Sequence, residues 1–252
     1  MVTRKSRREI EKMRVAGRIV AEVLALVESE LKPGVTTGHL DRLAERHIRA
    51  SGAVPSFKGY GHRSNPFPGS LCISIDDEVV HGIPGDRAIR SGQIVSIDAG
   101  AIYDGWHGDG ARTFVVGDAR PEIAELIDTT RLAMMAGIAA AVPDANLGDI
   151  SGAIEDAAAP GGYGIVKQFV GHGIGTEMHQ EPQVPNYRTG VRGMKLAPGI
   201  CLAIEPMLTL GSGDVAVRPD GWTVATVDGS LAAHFEHTIA VTDNGPEILT
   251  TV

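Results

Sequence analysis

The chain has 252 residues, of which 43% are hydrophobic and 21% are charged, and its formal net charge is -8. This composition indicates a folded globular protein, and the acidic balance disfavours a general nucleic-acid binder, because phosphate binding needs a basic field. The sequence shows no secretory signal and no bilayer-spanning run, and its cysteines are Cys72 and Cys201. We therefore expect a cytoplasmic protein with free thiols.

Helical spacing of apolar residues predicts a first helix from Ser6 to Leu31, which Pro33-Gly34 stops. A second helix has Thr37 as its predicted N-cap and closes at Gly52. A loop rich in Gly, Pro, Ser and Asn covers Pro55–Ser70. Strand-like segments follow the loop, at Leu71–Ile75, Ile94–Asp98, Ala101–Tyr103 and Ala111–Val116.

The same order of elements then begins again. Helices are predicted at Pro121–Ala141 and Gly148–Ala159. The strands predicted after them are Val166–Val170, Ile200–Ile204, Met207–Leu210, Val215–Val217, Thr223–Thr226 and Ala233–Val241.

Short stretches of the two halves match at a nearly constant spacing. Lys32–Leu40 lies over Val142–Ile150 at an offset of 110, and Ser91–Asp98 lies over Pro198–Glu205 at an offset of 107. With a small gap, Asp109, Thr113 and Asp118 resemble Glu236, Thr238 and Asp243. We predict an internal repeat with halves at about 1-118 and 119-252, the alternative being chance matching in a chain rich in Gly and Ala.

The repeat puts acidic residues at matching places in the two halves. Asp98 and Glu205 each end an apolar strand, and Asp109 and Glu236 each begin a later one. If the halves pack about a pseudo-two-fold axis, these four carboxylates meet at the centre of the protein. Unpaired, they would repel one another strongly, so bound cations are the simplest way to neutralise them. The spacing of Asp98 and Asp109 suits a hairpin that brings both acids together.

A nitrogen ligand is available at His172, which glycines flank on both sides. A lone buried histidine is more often structural, but its position between the acid-bearing segments favours a ligand here. An oxygen-rich set with one imidazole and no thiolate fits Mn, Fe(II), Co or Zn, and two such ions roughly 3.5–4 Å apart perform hydrolysis. His237 follows Glu236 directly, so on a strand it points to the opposite face, away from the metals.

Motifs for other chemistries are absent from the sequence. Gly171–Gly175 is neither GxGxxG nor a P-loop, so nucleotide binding is not indicated. There is no GxSxG elbow, and neither cysteine has a histidine partner nearby in the sequence.

Taken together, these residues resemble the type I methionine aminopeptidases, metallopeptidases with the pita-bread fold. The likeness runs from about Ile10 to Leu249 and rests on the order of short motifs, among them Val80–Pro84, Ile97–Gly100, Gly105–Asp109, Gly171–Gly175, Glu181–Val184, Ile204–Met207, Asp220–Val224 and Glu236–Thr238. The resemblance implies an α+β fold: two pseudo-symmetric halves with a curved antiparallel sheet covered by helices. It also implies that residues 1–252 form a single catalytic domain.

The resemblance implies a role for each metal-binding residue. Asp98 would bind one of two divalent ions (Co, Mn, Fe or Zn), Asp109 and Glu236 would bridge both ions, and His172 and Glu205 would complete the other. Glu205 is also the expected general base.

The resemblance also implies a set of substrate-binding residues. His81 and His179 would lie near the substrate amide and the leaving group as catalytic residues. The pocket for the methionine side chain would be formed by Cys72, Tyr60, Phe67, Met178 and Trp222.

The chain departs from the family pattern near this pocket. His62–Pro66 reads as an insertion in the loop that carries Tyr60 and Phe67, and Met178 stands where an aromatic residue is common. Gly110 and Gln180 replace a hydroxyl or small residue and an acid, respectively. These changes bear on the shape of the pocket and the rate rather than on the class of reaction.

The implied activity is the removal of initiator methionine from the N-terminal Met-Xaa of nascent polypeptides with a small second residue. We expect a monomer, with no membrane partner and no specific nucleic-acid partner. Two rivals are an X-Pro peptidase of the same fold and a non-catalytic binding protein that reuses it. Both are disfavoured, the first because only about thirty residues precede Pro33 and the second because all five ligands are present.

The N-terminal positive charge leaves one further alternative open. It either forms a solvated helix face, which is the usual fate of such a run, or supports a transient ribosome contact through ribosomal RNA. The cations concerned are Arg4, Lys5, Arg7, Arg8, Lys12 and Arg14.

Overall fold

The computed structural model describes residues 2–252. The helices are α1 (Arg7–Glu30), α2 (Thr37–Ala50), α3 (Pro121–Ala140) and α4 (Leu147–Ala158), and a short 3-10 turn covers Ala159–Gly161. The strands are β1 (Val54–Pro55), β2 (Leu71–Ile75), β3 (Glu78–Val80), β4 (Ile94–Tyr103), β5 (Trp106–Val115), β6 (Gly164–Ile165), β7 (Gly171–Gly173), β8 (Gln180–Val184), β9 (Cys201–Ile204), β10 (Met207–Thr209), β11 (Val215–Val217), β12 (Val224–Thr226), β13 (Ala232–His234), β14 (Glu236–Thr242) and β15 (Gly245–Ile248).

The main sheet is antiparallel and runs through both halves of the chain. Its strand order is β1-β4-β5-β14-β9-β7-β8, with β2 added to β4 and β15 added to β14. The central pair, β5 and β14, joins one half to the other. The two smaller sheets, β13-β10-β6 and β11-β12-β3, are also antiparallel.

Helices cover the sheet in two matching pairs. The first hydrophobic core contains α1 and α2 residues such as Val20 and Leu40 together with Ile97 of β4. The second contains α3 and α4 residues such as Met134 and Ile150 together with Leu202 of β9. The expected architecture, an antiparallel sheet covered by helices and built from two related halves, is therefore confirmed.

The repeat is visible in the backbone at the start of the second helix of each pair. Thr36, the N-cap of α2, forms an isolated bridge with Ala88, and Asn146, the N-cap of α4, forms one with Lys195. The two N-caps match at the offset of 110 found in the sequence.

Four local predictions were wrong. The predicted strand Ala233–Val241 is broken at Phe235, so that β13 and β14 belong to different sheets. The N-cap of α2 is Thr36 rather than Thr37, because the Thr36 hydroxyl accepts from the backbone N–H of His39 at 3.2 Å. Val166–Val170 is not a strand: Val166 packs in a hydrophobic core, Phe169 and Val170 line a cavity, and the Phe169 ring packs edge-on against His81 at 5.6 Å. The segments predicted around residues 94–103 form one long strand.

The helix-face interpretation holds for part of the N-terminal positive charge, because Arg4, Arg7 and Arg8 are exposed but other cations of the set are not. Lys5 precedes α1 and is buried, with its ammonium 3.2 Å from Gln180 Oε1. Its backbone N–H donates to Gly199 O at 2.7 Å, which ties the N-terminus to the second half. Lys12 pairs with Asp104 at 2.6 Å. Among the described residues, no helix combines the length and hydropathy that a membrane crossing needs.

Candidate active site

The register of the central strands puts three carboxylates on one face of the sheet. In the β4–β5 hairpin, Asp98 lies opposite Ala111 and Asp109 lies opposite Gly100. Across the centre, Glu236 also lies opposite Ala111. Since residues two apart on a strand share a face, Asp98, Asp109 and Glu236 all point to the same side. The expected hairpin therefore brings its two acids together from within the strands, not from their ends.

The second half adds an imidazole and a fourth carboxylate to this face. His172 on β7 lies opposite Ala203 on β9, and Glu205 follows two positions later. His172 Nε2 is 3.4 Å from Glu205 Oε1. Ligand atoms of Asp109, His172 and Glu236 lie within 4.8 Å of one another. The structure thus brings together the five residues that the sequence analysis assigned to the metals.

The glycines beside His172 permit this close packing. A Cβ atom at Gly171 would collide with the carbonyl oxygen of Ala203, and one at Gly173 would collide with that of Glu181. β7 can therefore lie between its neighbours only because these positions carry no side chain.

The carboxylates are strongly affected by burial. Desolvation raises the pKa of Asp98 to about 7, although a hydrogen bond with Asp109 acts in the opposite direction. Desolvation, and then repulsion from neighbouring acids, raises the pKa of Asp109, Glu205 and Glu236 well above the usual range. Without a counter-charge these groups would hold protons at neutral pH.

Unpartnered atoms at the centre of the cluster provide a test of whether a cation fits. Asp98 Oδ1, Asp109 Oδ1 and Glu236 Oε1 are buried and have no hydrogen-bond partner among the described residues. Buried polar atoms rarely stay unsatisfied. Carboxylate oxygens with an imidazole nitrogen are a donor set for divalent transition metals, so these residues fit a metal site.

His172 is suited to be a nitrogen ligand. Desolvation, followed by the influence of His179, lowers its pKa to about 3, so the ring is neutral at physiological pH. Its Nδ1 lies 3.0 Å from Gly173 O. If Nδ1–H donates to that carbonyl, the free electron pair of Nε2 points towards Glu205. A hydrogen bond from the second ring nitrogen to a backbone carbonyl is the usual outer contact of a metal-binding histidine.

His81 and His179 stand at the rim of the same cavity. His81 adopts a left-handed backbone conformation, with φ of 60°, which is uncommon for a non-glycine residue and concentrates at functional sites. Desolvation lowers its pKa to about 4. His179 Nδ1 lies 2.6 Å from the hydroxyl of Tyr60, and its ring is 4.4 Å from that of His172.

A hydrophobic cluster borders the carboxylates. Phe67 and Trp222 pack edge to face, with ring centroids 5.2 Å apart. Tyr60 stands at the mouth and is 40% exposed. The cavity has a volume of about 320 Å³, and every residue that the sequence analysis assigned to the site lines it. The cluster consists of Phe57, Phe67, Cys72 and Met178, with Ile83 and Trp222 packed against it.

Some residues of the cavity were missed by the sequence analysis. Phe57 and Phe169 belong to loops with no periodic pattern, so no sequence signal identified them. His234 also lines the cavity, and it had a signal: it lies two positions before Glu236, the spacing that keeps two side chains on one face. The exclusion of His237 is supported, since its Nδ1 lies 2.7 Å from Thr250 Oγ1 and it lines no part of the cavity.

Buried carboxylates and a neutral imidazole that converge in one cavity, on a sheet with this topology, define a metallopeptidase. Comparison with known proteins agrees, since residues 11–243 match metallopeptidase family M24. A methionine aminopeptidase from Clostridium acetobutylicum is 51% identical over 251 residues, 99% of each chain. The chain therefore belongs to family M24, among its methionine aminopeptidases, and membership in this family implies the use of divalent metal.

Solved structures show the same relationship. The methionine aminopeptidase of Thermotoga maritima superimposes with a TM-score of 0.96 at 42% identity, covering 100% of both chains. A prolidase from Pyrococcus horikoshii has a TM-score of 0.78 at 24% identity, covering 99% of this chain and 63% of its own. The second likeness reflects a shared fold only.

Proposed function

We propose that this protein removes the initiator methionine from polypeptides whose second residue is small. The observation that carries the proposal is the position of the hydrophobic cluster, which opens directly onto the buried carboxylates within one cavity. A site that cleaves after an N-terminal methionine needs these two features side by side. Family membership supports the same reaction.

The proposal includes two divalent ions, Co, Mn, Fe or Zn, held by the five assigned residues. Asp98 would bind one ion, His172 and Glu205 the other, and Asp109 and Glu236 both. Such ions polarise the scissile carbonyl and lower the pKa of an attacking water. The unpartnered oxygens of Asp98, Asp109 and Glu236 support this assignment.

Glu205 is the proposed general base, which accepts the proton of water and passes it to the leaving amine. Its position supports the role, because the Glu205 side chain lines the cavity beside the other assigned metal-binding residues, within reach of a substrate bound there. Its main-chain carbonyl accepts from Asn186 Nδ2 at 3.1 Å, which steadies the residue after the end of β9.

His81 and His179 are the proposed contacts to the substrate amide and the leaving group. Both have lowered pKa values, mainly because of burial, so at neutral pH they are uncharged. A neutral imidazole can donate to a carbonyl or accept from an amide N–H. The Tyr60 hydroxyl would hold His179 in place for this task.

The proposed methionine pocket consists of Cys72, Tyr60, Phe67, Met178 and Trp222. A thioether packs favourably against aromatic rings, and the Phe67–Trp222 pair offers such a surface. Burial also raises the pKa of the Cys72 thiol well above its usual range, so Cys72 is a neutral, packing residue. Tyr60 and His179 narrow the mouth, which supports selection for a small second residue.

The wider setting is part of the same proposal. We infer a single catalytic domain and a cytoplasmic monomer that acts on nascent chains. The free, buried Cys72 and Cys201 agree with a reducing compartment. The proposal also includes a transient contact between the ribosome and the N-terminal cations. Lys5 is buried and Lys12 is paired with Asp104, so the other cations of this segment would make that contact.

A peptide series tests the proposal. Metal-reconstituted protein should release methionine from Met-Gly-Met-Met and Met-Ala-Ser, and release should fall steeply when the second residue becomes large. Equal rates for Gly and Arg at that position would contradict the specificity. Cleavage of Xaa-Pro peptides in preference to Met-Ala-Ser would favour the X-Pro peptidases instead.

A further inference from the structure

Two threonines connect the backbones of the two halves in the same way, Thr238 from β14 to β5 and Thr113 from β5 to the end of β13. Thr238 Oγ1 donates to the carbonyl of Asp109 at 2.8 Å and accepts from the N–H of Asp109 at 2.9 Å. Thr113 Oγ1 donates to the carbonyl of His234 at 2.7 Å and accepts from the N–H of His234 at 2.8 Å. Each hydroxyl therefore fixes a residue on the opposite half.

These contacts establish which residues correspond in the two halves. Thr113 and Thr238 are 125 positions apart, and so are Asp109 and His234. The match needs no gap, unlike the pairing of Asp109 with Glu236 expected from the sequence. His234 therefore occupies in the second half the place that Asp109, an assigned bridging ligand, occupies in the first.

The His234 side chain is directed at the site and lacks a partner. It is 2% exposed, and its Nε2 has no hydrogen-bond partner in the described part of the chain. The ring lines the cavity together with Glu205 and Glu236, while the intervening Phe235 packs into the second hydrophobic core. A buried imidazole nitrogen without a partner is costly unless something binds it.

Glu205 lies between two imidazoles. Its Oε1 is 3.4 Å from His172 Nε2, and its Oε2 is 3.8 Å from His234 Nε2. Both distances are long for a hydrogen bond. They are close to the separation of two ligands on one ion, since atoms each about 2.1 Å from a tetrahedral metal lie roughly 3.4 Å apart. Glu205, His234 and Glu236 offer ligand atoms within 4.8 Å of one another.

We propose that His234 is a further protein ligand of the metal centre, binding through Nε2 the ion that Glu205 and His172 hold. The proposal rests on the metal-dependent function described above. It increases the difference between the two ions: the Asp98 ion would have only oxygen ligands from the protein, and the other would have two imidazoles instead of one. Imidazole favours Co, Zn and Fe over Mn, so the second position should select for those metals.

Metal titration of the full chain tests this ligand. His234→Gln replaces the imidazole by a weak neutral donor, and His237→Gln is the matched control, a neighbouring half-buried histidine on the opposite face of the sheet. We expect His234→Gln to weaken binding of one Co(II) at least ten-fold by calorimetry and to alter the visible Co(II) spectrum. His237→Gln should change neither. Unchanged affinities and spectrum in His234→Gln would overturn the proposal.

A second measurement needs no variant, so it holds even if His234→Gln folds poorly. In the NMR spectrum of the Co(II)-loaded wild-type protein, each bound imidazole gives a shifted N–H signal. We expect signals from two imidazoles, and a signal from one would overturn the role of His234. If the wild-type protein binds no divalent ion, the proposed function itself fails, which is a different outcome from normal binding that is indifferent to His234.

Discussion

The two halves of the sheet share a backbone arrangement but contribute different donor atoms. The β4–β5 hairpin supplies Asp98 and Asp109, both carboxylates. The second half supplies Glu205, Glu236 and the neutral imidazole of His172. The threonine contacts between the halves, from Thr238 on β14 to Asp109 on β5 and from Thr113 on β5 to His234 on β13, are the same in both directions. The repeat therefore gives both halves the same backbone arrangement around the site, while different side chains at these positions supply different donor atoms. Two ions bound here would not be equivalent.

Removal of a proposed bridging carboxylate should have the largest effect, because it weakens both ions at once. We expect Asp109→Asn and Glu236→Gln each to lower kcat/KM for Met-Ala-Ser by more than roughly 100-fold, since loss of even an outer contact costs 10–100-fold. Metal analysis should show loss of the bound pair. A variant from either half that keeps both ions would contradict the bridging role and the equal importance of the halves.

The threonine contacts allow the two halves to be compared directly. Thr113→Val and Thr238→Val keep the shape but leave a buried N–H and C=O unpaired, and each should reduce the free energy of unfolding by about 1–3 kcal/mol. Denaturant unfolding gives the values. Thr130→Val is the control, because its hydroxyl bonds only within α3. If only one of the two variants lost stability, the two threonine contacts would not contribute equally to the free energy of unfolding, although their geometry is the same.

Removal of the metal should reduce the folding stability of the protein by an amount that depends on pH, because the buried carboxylates of the site then lack a counter-charge. The pKa of Asp98 rises from 3.8 to about 7 on folding, mainly through desolvation. Between those values the metal-free folded state holds more protons than the unfolded state, so its stability falls as pH rises towards 7. The imidazoles, with lowered pKa values, act in the opposite sense only below about 6.5.

Thermal unfolding with and without a chelator measures this effect. The increase in Tm that the metal provides should be larger at about pH 8 than at about pH 6, because the unneutralised carboxylates repel most when ionised. An equal increase at both pH values would contradict the assignment of raised pKa values to the metal-binding carboxylates.

Surface ion pairs should matter least, and equally, in the two halves. Lys12 pairs with Asp104 in the first half, and Arg188 pairs with Glu155 and Asp156 in the second. Lys12→Ala and Arg188→Ala should each leave the denaturant midpoint of unfolding almost unchanged, because exposed pairs are screened by water and salt. Methionine release should be unchanged. A large loss of activity in Lys12→Ala would point to a role for the N-terminus in the site.

The sequence by itself determined the helices, the repeat and the gathering of Asp98, Asp109, His172, Glu205 and Glu236, and its resemblance to a known family supplied the antiparallel sheet. These features depend on the periodicity of apolar residues and on acidic residues that recur beside apolar strands in each half, both of which a single chain displays. Only the tertiary structure decided that Gln168–Val170 lines a cavity and that Lys5 is buried, because the sequence around an apolar run or a cation does not specify which residues will surround it in the fold. Only the register of the folded strands paired Asp109 with His234, since that correspondence lies in hydrogen bonds between residues far apart in the chain.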